Sequence, residues 1–132
     1  MGTDRDFLAS FRACSLPSSE FDHRGHIRAA WLYLAQWSPE EATERLSADI
    51  RRYASRLGAE GTFHRTITEA MMRLLASHLP EEAELTWEAL IERHPIVVED
   101  ARGLLRHFYS EQRLSDPEAR THFLPPDRNP FP

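Results

Sequence analysis

Apolar residues in this chain recur at three- and four-residue spacing in one segment after another. No run of five residues alternates polar and apolar with β-branched enrichment. That spacing places the apolar side chains of each segment on one helical face, so the sequence predicts an all-α fold. Proline and glycine fall mostly between the periodic segments and set their limits. With 132 residues, 41% of them hydrophobic, one core suffices. The expectation is a single domain over 1–132, a bundle of about five to six helices with an extended Pro-rich C-terminal tail over 121–132.

The first predicted helix, Asp4 to Cys14, buries Phe7, Leu8 and Phe11 and stops before Pro17-Ser18-Ser19. The second, Asp22 to Gln36, has Asp22 as N-cap and Ile27, Ala30, Trp31 and Leu34 as its apolar stripe. Ser38 and Glu41 make a capping box with Pro39 at the first helical position. That helix carries Leu46, Ile50, Tyr53 and Leu57, and Gly58 is its left-handed stop. A fourth helix opens at Thr62 or Phe63, aligns Ile67, Met71, Leu74, Leu75 and His78, and closes at Pro80. Beyond the acidic connector Glu81-Glu82-Ala83-Glu84, a short helix from Thr86 to Arg93 buries Trp87, Leu90 and Ile91 and is broken by His94-Pro95. A long helix from Val98 to Ser110 then buries Ala101, Leu104, Leu105 and Phe108, and Ser115-Asp116-Pro117-Glu118 marks one more start. The end, Pro125 to Pro132, reads as an ordered wrap or a frayed tail.

A net charge of −5 argues against an electrostatic grip on nucleic acid. All sixteen basic residues are arginine, so Schiff-base chemistry and a P-loop lysine are excluded, and any anion falls to guanidinium groups. The one cysteine, Cys14, cannot form an intramolecular bridge. The stretch Met1 to Asp6 lacks the layout of a secretory signal, and no apolar run reaches the ~20 residues of a membrane span. The expectation is a soluble, cytoplasmic protein with neither nucleic acid nor membrane as partner.

The chemistry-bearing residues gather in Phe21-Asp22-His23-Arg24-Gly25-His26-Ile27-Arg28-Ala29-Ala30-Trp31 and in Thr62-Phe63-His64-Arg65-Thr66-Ile67-Thr68. At 100° per residue, His23 points along the apolar stripe of its helix and His26 lies on the stripe's edge beside Tyr33 and Trp37. On the later helix His64 lies near the stripe, with Thr68 at its edge, whereas Thr66 and Glu69 face away. If those two helices pack, His23, His26 and His64 converge as three ligands with an open position, an arrangement suited to zinc and also to copper, iron or nickel. The competing reading is that each imidazole caps a helix or satisfies a backbone carbonyl. Arg24, Arg28 and Arg65 flank the cluster and would neutralise an anionic substrate. Tyr33 and Thr68 would position it, and His23 or His64 would move protons.

The segment Phe21 to Trp31 and His64-Arg65-Thr66-Ile67-Thr68, together with Tyr109-Ser110, Asp116-Pro117-Glu118-Ala119-Arg120 and Pro125-Pro126-Asp127, resemble a family of small all-helical bacterial proteins with no assigned reaction. The resemblance runs from Phe21 to the end of the chain. It implies a bacterial origin and a role as tailoring enzyme or accessory subunit in specialised biosynthesis. The leading expectation is a metal-dependent hydrolase, lyase or oxidoreductase acting on a small anionic metabolite through a three-histidine site. The alternatives are a non-catalytic accessory subunit that docks a larger protein, or a copy of itself, through Trp31, Trp37, Trp87 or the tail, and a metal-free enzyme using histidine acid–base chemistry.

Overall fold

In a computed structural model the chain is all-α, and the structure describes residues 3–77 and 86–132, without the side chains of Glu60 and Val98. The predicted positions of His78 and Pro80 and the acidic connector lie outside the described residues. No helix among the described residues is long and apolar enough to cross a membrane. Backbone contacts divide the chain into two compact units, Met1–Phe63 and His64–Pro132.

The first unit contains α1 (Asp4–Arg12), α2 (His23–Leu34) and α3 (Pro39–Arg56), with 3-10 turns at Ser18–Glu20 and Glu60–Thr62. Thr3 and Asp6 cap α1 reciprocally, and the helix ends where Cys14 adopts the left-handed conformation, φ 59°, that glycine usually supplies at such stops. Asp22 accepts the Gly25 N–H at 3.0 Å and starts α2, as its position in the sequence requires. Ser38 accepts the Glu41 N–H at 3.3 Å with Pro39 at the first helical position, and Gly58 at φ 72° follows the end of α3. The core is an aromatic cluster wedged among these helices. Phe11 stacks on Phe21 at 4.6 Å, and Tyr53 closes on both at 5.6 and 4.8 Å.

Gly25 sits in the first turn of α2, where a Cβ would run into the carbonyl oxygen of Glu20. Backbone cannot give way as a flexible side chain would, so overpacking outweighs the better helix propensity of alanine. Gly25→Ala is expected to destabilise the protein by about 1–3 kcal/mol in urea denaturation. A neutral or stabilising result would contradict the close approach.

The second unit contains α4 (Arg65–Ala76), α5 (Trp87–Arg93), α6 (Pro95–Glu99), α7 (Ala101–Phe108), α8 (Glu111–Leu114) and α9 (Pro117–Thr121). The long helix expected from Val98 is instead two pieces. Pro95 opens α6, and Asp100 breaks the run and caps α7 through the Gly103 N–H at 3.1 Å. Asp116 caps α9 with Pro117 behind it, as read from the sequence.

The tail is an ordered wrap. Thr66 Oγ1 donates to the His122 carbonyl at 2.9 Å and accepts the Leu124 N–H at 3.1 Å, and the Tyr109 hydroxyl donates to the Leu124 carbonyl at 2.7 Å. Further along, Ser110 gives Asp127 both its backbone N–H and its hydroxyl, at 2.8 and 2.6 Å, and these two donors hold the Asp127 carboxyl below its ordinary range. Phe131 closes against Phe108 and Tyr109. Proline supplies the stiff extended backbone for this path, and side chains of the helices satisfy the carbonyls it exposes.

Candidate functional site

His64 is the N-cap of α4. Its Nδ1 accepts the Ile67 N–H at 3.1 Å, and its Nε2 donates to the Leu114 carbonyl at 2.9 Å. A carbonyl can only accept, so the ring is the Nε2–H tautomer with its single lone pair committed to the helix terminus. In this arrangement His64 has no lone pair to offer a metal ion, and its two bonds join α4 to α8 within the second unit.

His23 and His26 stand in the first turn of α2, and both are exposed. The inward direction expected for His23 is therefore corrected. Its angle matches the buried stripe, but burial begins one turn later, at Ile27, which is 3% exposed. Helical angle gives direction and says nothing of depth along the axis. His26 lays its ring on Phe21 at 4.0 Å, and its Nδ1 donates to the Asp22 carbonyl at 2.9 Å. Loss of water around the ring lowers its pKa, opposed by the Asp22 carbonyl and reinforced by neighbouring His23. Although the residue as a whole is exposed, Phe21 covers one face of the imidazole, and we ascribe the desolvation to that face. Among the described residues, no group of three or more His, Cys, Asp and Glu side chains is placed to hold a metal ion.

The expected substrate arginines have intramolecular work. Arg28 grips Asp4 Oδ1 through Nε and Nη2 at 3.0 and 2.6 Å and stacks over Phe7. Arg65 grips Glu69 at 3.1 and 2.7 Å, and Arg73 holds the other Glu69 oxygen. Arg24 is exposed at the start of α2. Thr68 is half-buried on α4. Thr66 and Glu69, expected to face away, are instead covered: Thr66 is fully buried and the Glu69 side chain is 12% exposed. The one-stripe reading fails at Thr66 because the tail bonds to that face of α4, and at Glu69 because Arg65 and Arg73 close over its carboxylate.

Tyr33 lies fully buried in the first unit and donates to Asp49 Oδ2 at 2.5 Å while Arg12 Nε donates to its oxygen at 3.2 Å. Arg52 pairs with the other Asp49 oxygen at 2.9 Å and reaches the Arg12 carbonyl at 3.1 Å, so the four residues close a ring of polar contacts. Burial, then the hydrogen bond to Asp49, push the Tyr33 pKa up to about 12. Such a phenol gives up its proton reluctantly near neutral pH. Burial also pushes Tyr109 up to about 12 and raises Tyr53. A folded pKa above the unfolded value of about 10 stabilises the fold fully below pH 10 and progressively less as pH climbs towards 12. Alkaline titration of the folded protein should therefore show Tyr33 and Tyr109 ionising towards pH 12 and Tyr53 above the ordinary tyrosine midpoint. An ordinary midpoint for any of the three tyrosines in the folded protein would contradict this burial.

Beside this ring lies an open cleft of about 430 Å³ lined by Arg12, Trp37, Arg45, Ala48 and Asp49. Sequence reading passed over Arg12, Arg45 and Asp49. They come from α1 and α3, and only the 3.6-residue spacing of Arg45, Asp49 and Arg52 along α3 signalled a shared face. Within the two histidine-bearing segments and the C-terminal segments singled out in the sequence, Asp22, Gly25, His64, Thr66, Tyr109, Ser110, Asp116 and Asp127 serve caps, close backbone approaches or tail contacts. Compared with protein-family models, curated proteins and solved structures, the chain matches none of them.

Proposed function

We propose that this protein is a non-catalytic helical accessory module whose motif histidines serve the fold. The observation that carries the reading is His64, both of whose ring nitrogens are spent on the backbone of the second unit. Support comes also from the intramolecular ion pairs of Arg28 and Arg65 and from the proton-tight Tyr33. Docking through Trp31 or the tail is disfavoured, since Trp31 is buried and the tail is folded onto its own unit; Trp37 and Trp87 are half-buried. A reducing cytoplasm suits the single thiol.

The test is elemental analysis of untagged protein before and after exposure to zinc, repeated on His23→Ala and His64→Ala. The module reading expects sub-stoichiometric metal throughout and a lower melting point for His64→Ala. One metal per chain, lost in both variants, would overturn it in favour of a metal enzyme.

A further inference from the structure

The cleft at the C-terminal end of α1 gathers more positive charge than its carboxylates neutralise, with Arg12, Arg45 and Arg52 set against Asp49 and Glu41. Arg12 and Arg45 both stack on the indole of Trp37, at 5.4 and 4.6 Å from its centroid, so their guanidinium carbons stand no more than 10 Å apart. Arg12 spends Nε on the Tyr33 hydroxyl, and among the described residues its terminal nitrogens have no carboxylate partner. Arg45 meets Glu41 only at 3.4 Å, with both side chains about half exposed (51% and 52%), which is a weak pair in water. The carboxylate in the wall, Asp49, is already taken by Tyr33 and Arg52. An anion held between the two guanidinium groups would reduce the repulsion between them. Stacking on an aromatic face fixes the guanidinium planes while leaving their N–H edges to donate.

We infer that this cleft binds a small organic anion carrying a carboxylate or phosphate head, which Arg12 and Arg45 grip from two sides. The volume is that of a small-molecule site. Ala48 leaves an exposed, side-chain-poor floor between Arg45 and Asp49, and the half-buried indole of Trp37 forms an apolar wall. A head group bearing a flat apolar body therefore fits better than a bare inorganic ion. Bidentate guanidinium contacts supply orientation, and contact with Trp37 and Ala48 supplies the preference for that body. The inference rests on the first unit alone and stands apart from the role of His64.

Phenyl phosphate, benzoate and inorganic phosphate, titrated into the full chain and followed by the Trp37 indole N–H and Arg12 Nε–H resonances, test it. The expectation is saturable shifts with phenyl phosphate or benzoate in the millimolar range or below, and binding of phosphate at least about tenfold weaker. Arg12→Gln and Arg45→Gln should each weaken binding by roughly tenfold or more. Arg45 is exposed and holds no core contact, so its variant keeps the fold, as unchanged amide spectra elsewhere would verify. No saturable shift up to about 20 mM of either aromatic probe, or equal titration of wild type and both variants, would overturn the site. Phosphate binding as tightly as phenyl phosphate would overturn the flat-bodied ligand.

Discussion

Thr66→Val should destabilise the protein by about 2–4 kcal/mol and loosen its C-terminal tail. The substitution keeps the shape of a fully buried side chain and removes its hydroxyl. That hydroxyl is the partner of two backbone groups at once, the His122 carbonyl and the Leu124 N–H. Each buried group left unpaired costs about 1–3 kcal/mol, and water reaching exposed His122 keeps the total below the maximum. Urea denaturation should show the loss, and hydrogen exchange at the Leu124 amide should accelerate. Thr66→Ser, which keeps the hydroxyl and drops a methyl, should cost only about 1 kcal/mol. Equal losses in the two variants would mean that packing, not the hydroxyl, holds the tail.

The second large effect belongs to His64. Replacing it by alanine removes the cap of α4 and strands the Leu114 carbonyl, losses of about 0.5–2 and about 1–3 kcal/mol. A total of about 2–4 kcal/mol is expected, since the site is half-buried. His64→Asn offers an oxygen to the Ile67 N–H but is too short to span to Leu114, so it should recover about 1 kcal/mol, the capping part alone. Were His64→Asn as stable as wild type, the bond to Leu114 would contribute nothing to the fold.

Much of the architecture was legible because it is written locally. Asp22, Ser38-Pro39, Thr86, Asp116-Pro117 and Gly58 mark helix limits through contacts spanning at most three residues, and each appears where the sequence places it. The break at Asp100 was misread because the apolar run from Val97 through Leu105 continues across it, and periodicity does not register one capping side chain. The candidate site was harder. His23 has the right angle and the wrong depth, Thr66 is bonded to a tail more than fifty residues away in sequence, and Glu69 is held between Arg65 and Arg73. The cleft of Arg12, Trp37 and Arg45 is assembled from three segments, and none of them carries a pattern that announces the others. Local chemistry is visible in one chain read alone, whereas convergence of distant segments is set by packing.

The most direct test of the account is the state of the His64 ring, read from the long-range proton–nitrogen NMR spectrum of the full chain at neutral pH before and after one equivalent of zinc. The account predicts the Nε2–H tautomer, a hydrogen-bonded and slowly exchanging ring proton, and no change on adding the metal. Zinc-dependent shifts of the His64 ring nitrogens, moving together with those of His23 and His26, would contradict it.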